Sequence, residues 1–120
     1  LTPLESIEKR IKAAFEADFV VGIYNPLSKS RKLPYELFLR YLGGIKQETP
    51  VCVATDIGRE DQNVRIIDAA TLVSMGVETK EIDMSTVILV GNSSSRFTSN
   101  GKILTPRGYL DKYELEELKG

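Results

Sequence analysis

The sequence lacks histidine and tryptophan and has a single cysteine, Cys52. Without histidine the chain cannot build a Ser-His-Asp triad or a histidine metal site, and it is without the commonest general base of enzymes. One cysteine forms neither a zinc knuckle nor a disulfide framework, so we expect no metal site. Because Cys52 lies in the apolar run "VCVA", we expect a small buried core thiol and a reducing, cytoplasmic compartment.

The chain also has little excess charge and no long apolar run. Its 16 Lys and Arg oppose 17 Asp and Glu, for a formal net charge of -1. No overall field therefore draws it to nucleic acid, and any anion site must be local. No apolar stretch approaches the roughly 20 residues that span a bilayer, so we expect no membrane partner. The first residue is Leu1 and not methionine, and we expect the chain to be part of something longer.

What the sequence does contain is an alternation of apolar runs and amphipathic stretches over 120 residues, 42% of them hydrophobic. Four runs predict strands: "FVVGIY", "PVCVAT", "VRII" and "STVILVG". Helical spacing predicts helices from Pro3 to about Asp18, from Pro34 to a stop at Gly43, near residues 69–75, and in the charged C-terminal tail. This order predicts one α/β domain over residues 1–120, with a mixed, mostly parallel sheet flanked by helices.

In such sheets, ligands gather beyond the carboxyl ends of the strands. Here those segments are "NPLSKSR", "DIGREDQN" and "NSSSR", and each carries an arginine: Arg31, Arg59 and Arg96. Arg107 stands further on, in "TPRGY". The planar guanidinium fork suits bidentate binding of carboxylate or phosphate. Together the arginines are consistent with a pocket for a polyanionic ligand, but each one also fits a solvated surface side chain or a partner of a nearby acid such as Asp56.

The serine-rich segment "VGNSSSR" is a weaker candidate for a phosphate site. It follows a strand, and its backbone N–H groups are of the kind that cradle an anion. It lacks, however, the Gly-Lys-Ser/Thr ending of a phosphate-binding loop. Composition and spacing alone therefore indicate a soluble α/β domain with arginine-bearing loops, and they do not identify a reaction.

Longer strings carry a resemblance. The segments "LTPLESIEKRIKAAFEADFVVGIYNPLSKSR", "TPVCVATDIGRED", "STVILVGNSSSR" and "GKILTPRGY" resemble, in this order, the C-terminal half of the precorrin-3B C17-methyltransferase branch of the tetrapyrrole methylase family. The similarity extends over nearly the whole chain.

The resemblance implies a two-domain α/β enzyme that binds S-adenosyl-L-methionine between its domains and works as a homodimer. Its substrate would be a tetrapyrrole, precorrin-3B or the cobalt-containing factor III, methylated at C17 with contraction of the ring during corrin biosynthesis. The glycine-rich cofactor segment of the N-terminal domain is absent from these 120 residues, so we expect the isolated domain to be inactive. The alternative function is a non-catalytic binding or dimerisation module.

The resemblance also implies site residues at matching positions. Those expected to contact the cofactor lie at strand ends: Tyr24, Asn25, Pro26, Cys52, Ala54, Thr55, Ser85 and Thr86. For the last two, backbone atoms are expected to bind the adenine. Those expected to contact the acetate and propionate groups of the macrocycle are Ser28, Arg31, Arg59 and Arg96. The catalytic base stays open among the other domain, an acid such as Glu60 or Asp61, and the substrate itself.

Overall fold

The computed structural model describes residues 3–24, 26–28 and 31–106. Within them lie three helices, α1 (Leu4–Glu16), α2 (Leu33–Leu42) and α3 (Ala69–Met75), and six strands, β1 (Val21–Tyr24), β2 (Pro50–Thr55), β3 (Asn63–Asp68), β4 (Thr86–Val90), β5 (Arg96–Phe97) and β6 (Ile103–Leu104). The four predicted strands and the first three predicted helices are confirmed, with ends that differ from the predicted ones by at most two residues. The predicted C-terminal helix lies outside the described residues. In this part of the chain, no helix is both long and apolar enough to cross a bilayer.

The main sheet has the strand order β1-β4-β2-β3, and every neighbouring pair is antiparallel. The prediction of a mostly parallel sheet is therefore wrong. The short segment 56–62 turns β2 directly back into β3, and β4 inserts between β1 and β2 with the opposite direction. A continuous apolar run indicates that a strand is buried, but it does not report the direction of the neighbouring strands.

Because strand directions alternate, β1 and β2 end at the same end of the sheet at which β3 and β4 begin. We call this the exit end, and it is marked by Tyr24, Thr55, Asn63 and Thr86. The opposite end, which we call the far end, is marked by Val21, Pro50, Asp68 and Val90. The loops after β1 and β2 thus lie at the exit end, whereas the loop after β4 lies at the far end.

One face of the sheet packs against the helices. Val51 and Ile88, on adjacent strands, are fully buried together with Phe38 and Leu42 of α2. Burial of each such side chain contributes about 1.5–3 kcal/mol. α1 lies against α2, where the Phe15 ring stacks on Phe38 at 5.9 Å between centroids. The helical layer therefore positions two connections at the exit end. One leads from β1 into α2, and the other leads from α3 into β4.

The other face of the sheet is apolar and largely uncovered within the described residues. Tyr24, Val64 and Leu89 are exposed there, and Cys52 lies between Leu89 and Ile66, half-buried. The prediction of a core thiol is therefore wrong in its location, since strand alternation turns Cys52 away from the helices. Partial burial still raises the pKa of this thiol.

Candidate functional site

The exit end brings together three segments that the sequence singled out. Tyr24 pairs with Val87, Val87 pairs with Ala54, and Thr86 pairs with Thr55. Since adjacent strands are about 4.8 Å apart, Tyr24 and Ala54 lie roughly 10 Å from each other across β4. The ends of β1 and β2 and the start of β4 therefore form one continuous rim.

The remaining predicted cofactor residues lie at different distances from this rim. Ser85 directly precedes β4, and its carbonyl oxygen accepts a hydrogen bond from the Asp56 backbone N–H at 3.1 Å, which ties it to the exit from β2. Pro26 is buried in the loop after β1. Cys52 lies three residues inside β2, away from the rim. Asn25 lies outside the described residues.

An open pocket of about 690 Å³ adjoins the rim. One wall comes from the loop after β1 and includes Leu27 and Ser28, and the other comes from residues 77–85 and includes Ile82 and Ser85. Leu27 and Ile82 are buried and give the pocket an apolar base. The volume falls in the range of about 300–1,000 Å³ that is typical of small-molecule sites. The pocket thus joins a predicted substrate residue, Ser28, with a predicted cofactor residue, Ser85.

A hydrogen-bonded turn fixes the segment that enters β4. The buried Thr86 hydroxyl accepts from the Asp83 backbone N–H at 3.0 Å and donates to the Asp83 carboxylate at 3.2 Å. The same carboxylate accepts from the Ser85 backbone N–H at 2.8 Å. Across the strand pair, the hydroxyls of Thr86 and Thr55 lie 3.4 Å apart. The side chains of Thr86 and Asp83 therefore set the position of Ser85 at the pocket.

This turn limits what the backbone at Ser85 and Thr86 offers to a ligand. The Ser85 N–H is bonded to the Asp83 side chain, and the Thr86 N–H points to the Asp83 carbonyl at 3.3 Å. The Ser85 carbonyl has one bond, from Asp56, and keeps a second lone pair. A ligand edge at these residues would therefore meet hydrogen-bond acceptors and the Ser85 hydroxyl, and not free backbone donors.

The predicted set of arginines does not converge. Arg31 lies in the loop after β1, where its backbone N–H donates to the Ser28 hydroxyl at 3.1 Å. Arg59 lies in the loop after β2, exposed, with its guanidinium 3.8 Å from Asp56. Both loops leave the exit end. Arg96 lies in β5, after the far end, because β4 is antiparallel to β1 and β2. Arg96 thus follows a strand that ends at the far end, whereas Arg31 and Arg59 follow strands that end at the exit end, and Arg107 lies outside the described residues.

The serine-rich loop at the far end is a closed structural turn. The Asn92 N–H donates to the Ser95 hydroxyl, the Ser94 N–H to the Asn92 side chain, and the Ser95 N–H to the Asn92 carbonyl. The Ser93 N–H and hydroxyl both donate to the carboxylate of Asp18. All four backbone donors are used, and a negative charge occupies the place where an anion would bind. The interpretation of this loop as a phosphate site is therefore wrong.

The contact between Asp18 and Ser93 makes a testable contribution to stability. Hydrogen bonds from Ser93 lower the pKa of Asp18 below its ordinary value, so the ionised form is favoured in the folded state. Its contribution is present at neutral pH and is lost as the pH falls below about 4. We expect Asp18→Asn to lower the free energy of unfolding by about 1 kcal/mol at pH 7 and by less at pH 3, measured by urea denaturation at both pH values.

Asp61→Asn is the matched control, since it removes the same charge from an exposed position in the loop after β2. A loss for Asp18→Asn that is equal at both pH values, or that Asp61→Asn reproduces, would contradict this role of the carboxylate.

Sequence reasoning missed several residues of the pocket. Lys32 and Glu78 line it and form a salt bridge with each other, although 46 positions separate them. Met84, 64% exposed, also lines the pocket. No spacing rule connects these positions. The one available signal for Met84 was its place just before the fourth apolar run.

Comparisons with known proteins agree on one group of enzymes. A probable cobalt-factor III C(17)-methyltransferase of Methanocaldococcus jannaschii is 42% identical over 118 residues, which cover 96% of this chain and 47% of that protein. A probable cobalt-factor III C(17)-methyltransferase of Salmonella typhimurium is 39% identical over 110 residues, covering 91% of this chain and 43% of that protein. No family model matches the chain.

A solved structure has a similar fold. The crystal structure of the methyltransferase CobJ superposes with a TM-score of 0.73 at 28% identity, over 88% of this chain and 42% of that one. The chain thus spans less than half the length of these two curated relatives and of the CobJ chain.

Proposed function

Because this chain belongs to the C17-methyltransferases of cobalamin biosynthesis, aligning with their C-terminal part, we propose that it is the C-terminal half of an S-adenosyl-L-methionine-dependent enzyme that methylates a tetrapyrrole at C17. The observation that carries this proposal is the 42% identity to one such enzyme over 96% of the chain. The partner half is the protein's own N-terminal domain, the assembly is a homodimer, and the compartment is the cytoplasm.

The substrate we propose is the cobalt-containing factor III. The relatives from Methanocaldococcus jannaschii and Salmonella typhimurium are both named for that compound. The metal-free precorrin-3B is the alternative. The cobalt of factor III belongs to the substrate and not to the protein.

The residues at the exit end fit the proposed cofactor. An adenosine needs an apolar slot with a few polar groups at its edge. Leu27 and Ile82 supply the apolar base, and the Ser85 carbonyl and hydroxyl supply acceptors for an exocyclic amine. Tyr24, 75% exposed at the end of β1, lies on the uncovered face of the sheet and outside the pocket lining, so it offers an aromatic face at the edge of the rim for a base that extends beyond the pocket. Ala54, opposite Val87 in the register, is buried on the same face as Tyr24.

S-adenosyl-L-methionine supplies an activated methyl group on a sulfonium, whose leaving group departs neutral. The protein's task is therefore alignment of the two reactants and removal of water, more than proton transfer. This is consistent with a chain that has no histidine. Three sources of the base for ring contraction stay open. They are Glu60 or Asp61 in the exposed loop after β2, a residue of the N-terminal domain, and the substrate itself.

Exposed apolar side chains at the exit end support the proposal that another domain covers it. Tyr24 and Met84 are exposed beside the rim, and Ile57 is exposed in the loop after β2. Large apolar groups clustered at one end of a sheet are typical of a surface that another unit covers. We propose that the N-terminal domain covers this end and completes the cofactor cleft.

The test is binding of S-adenosylhomocysteine to the protein expressed from its complete coding sequence, measured by isothermal titration calorimetry. Tyr24→Ala is expected to raise the Kd by about tenfold through loss of stacking. Its thermal midpoint should stay unchanged, because the side chain is exposed.

Phe97→Ala is the control, since Phe97 is an exposed aromatic residue, 44% accessible, beyond the far end. If the two variants bind S-adenosylhomocysteine as the wild type does, the cofactor does not stack on Tyr24. If the wild type itself shows no binding, the proposed activity is overturned.

A further inference from the structure

We propose that Lys32 and Glu78 form a displaceable ion pair across the opening of the pocket, and that a carboxylate of the bound ligand replaces Glu78 on Lys32. The proposal rests on the proposed methyltransferase function for the identity of the ligand. The cationic site itself follows from residues of this chain. It adds Lys32 to the ligand-binding residues, a position that none of the sequence patterns pointed to.

The ion pair joins the two walls of the pocket. Lys32 precedes α2 and Glu78 follows α3, and both side chains line the cavity. The Lys32 Nζ lies 3.0 Å from Oε1 and 3.2 Å from Oε2 of Glu78, so it contacts both carboxylate oxygens. A carboxylate therefore already occupies the position beside Lys32, which indicates the kind of group that this position accepts.

The carboxylate of Glu78 is held weakly enough to exchange. Its side chain is 80% exposed, and an ion pair in contact with water holds its partners together only slightly better than solvent does. Ordering the long Glu78 side chain also costs conformational entropy. A ligand carboxylate that other contacts already position at the pocket avoids that cost, so it competes effectively for Lys32.

The other charges in the pocket favour the exchange. Lys80 and Asp83 are the remaining charged side chains of its lining. Asp83 is committed to the turn before β4, where its carboxylate accepts from the Ser85 N–H and the Thr86 hydroxyl. Once the Glu78 side chain turns into solvent, the charged side chains left in the pocket lining are the cations Lys32 and Lys80 and the anion Asp83. The pocket then presents a net positive wall, which attracts an anionic group.

Two groups in the proposed reaction carry the required carboxylate. One is an acetate or propionate side chain of the tetrapyrrole, and the other is the amino-acid end of the methyl donor. The shared chemistry is one carboxylate beside an apolar body, and this matches a pocket with an apolar base and a lysine at its opening.

The experiment compares Lys32→Gln with Glu78→Gln in the protein expressed from its complete coding sequence. The probes are uroporphyrin III, followed by porphyrin fluorescence, and S-adenosylhomocysteine and 5′-methylthioadenosine, followed by calorimetry. We expect Lys32→Gln to raise the Kd of one carboxylate-bearing probe about 3- to 5-fold and Glu78→Gln to lower it about twofold. Lys12→Gln, an exposed charge change on α1, is the control and should leave all three Kd values unchanged.

The opposite signs are the signature, because a purely structural ion pair would make both variants weaken binding. An effect on uroporphyrin III assigns the site to the macrocycle. An effect on S-adenosylhomocysteine but not on 5′-methylthioadenosine assigns it to the amino-acid end of the cofactor. Equal losses in both variants, no change in either, or no binding of any probe by the wild type would overturn the proposal.

The two proposals fail separately. Opposite effects on uroporphyrin III without any binding of S-adenosylhomocysteine would keep the carboxylate site and overturn the methyltransferase. Normal binding of S-adenosylhomocysteine by the wild type, without effects of opposite sign in Lys32→Gln and Glu78→Gln, would keep the methyltransferase and overturn the carboxylate site.

Discussion

Replacing Phe38 with alanine is expected to lower the free energy of unfolding by about 3–5 kcal/mol, a large part of the roughly 5–15 kcal/mol that stabilises a typical domain. Phe38 is 1% exposed at the centre of the helical layer. Its ring lies 5.9 Å from the rings of both Phe15 and Tyr35, measured between centroids. Truncation therefore opens a cavity and removes an aromatic contact between α1 and α2.

The measurement is chemical denaturation followed by circular dichroism, with Phe19→Ala as the control because Phe19 is exposed after α1. We expect the control to stay within about 0.5 kcal/mol of the wild type. Similar losses for the two variants would mean that α1 does not depend on its aromatic contact with α2. The Tyr35 hydroxyl, buried and without a hydrogen-bond partner among the described residues, makes Tyr35→Phe an unsuitable control, since burial of that hydroxyl is itself unfavourable.

The second large effect is expected from Thr86→Val, which keeps the shape of the side chain and removes its hydroxyl. Thr86 is fully buried, and its hydroxyl holds both the N–H and the carboxylate of Asp83. Loss of these bonds is expected to cost about 1–3 kcal/mol. Because the same turn positions Ser85, binding of S-adenosylhomocysteine should also weaken several-fold, as measured by calorimetry.

Thr71→Val separates the two effects. The Thr71 hydroxyl also donates to an aspartate, Asp68, but it is exposed at the start of α3, next to the far end. This control is expected to cost less than about 1 kcal/mol and to leave ligand binding unchanged. If Thr86→Val destabilises the fold without any change in binding, the turn before β4 is structural alone.

The elements of the fold were predictable because they depend on local patterns. The apolar runs at β2 and β4 and the helical spacing of α2 identify their structures without knowledge of the rest of the chain. The strand directions were not predictable in this way, because they depend on where β4 inserts. The alternation of residues within β4 is the same whether β4 pairs between β1 and β2 or at an edge of the sheet.

The same reason explains which site residues were found. Tyr24, Ala54 and Thr86 were expected to lie together, and they meet at the exit end because each stands at a strand terminus that the register aligns. The expectation that Arg96 lies with Arg31 and Arg59 assumed parallel strands, whereas the antiparallel β4 carries the chain to the far end before Arg96. Lys32 and Glu78 come together only through the packing of α2 and α3, which no sequence interval records.

The separation of the two ends of the sheet gives the protein a natural attachment point for a reporter. Ser94 is exposed in the closed turn beyond β4, a full strand length from the pocket, so Ser94→Cys introduces a thiol where a fluorophore meets no ligand. The native Cys52 competes poorly for such a label, because it is half-buried and burial raises its pKa. Motions at the pocket can then be measured as changes in the distance between the pocket and the label at position 94.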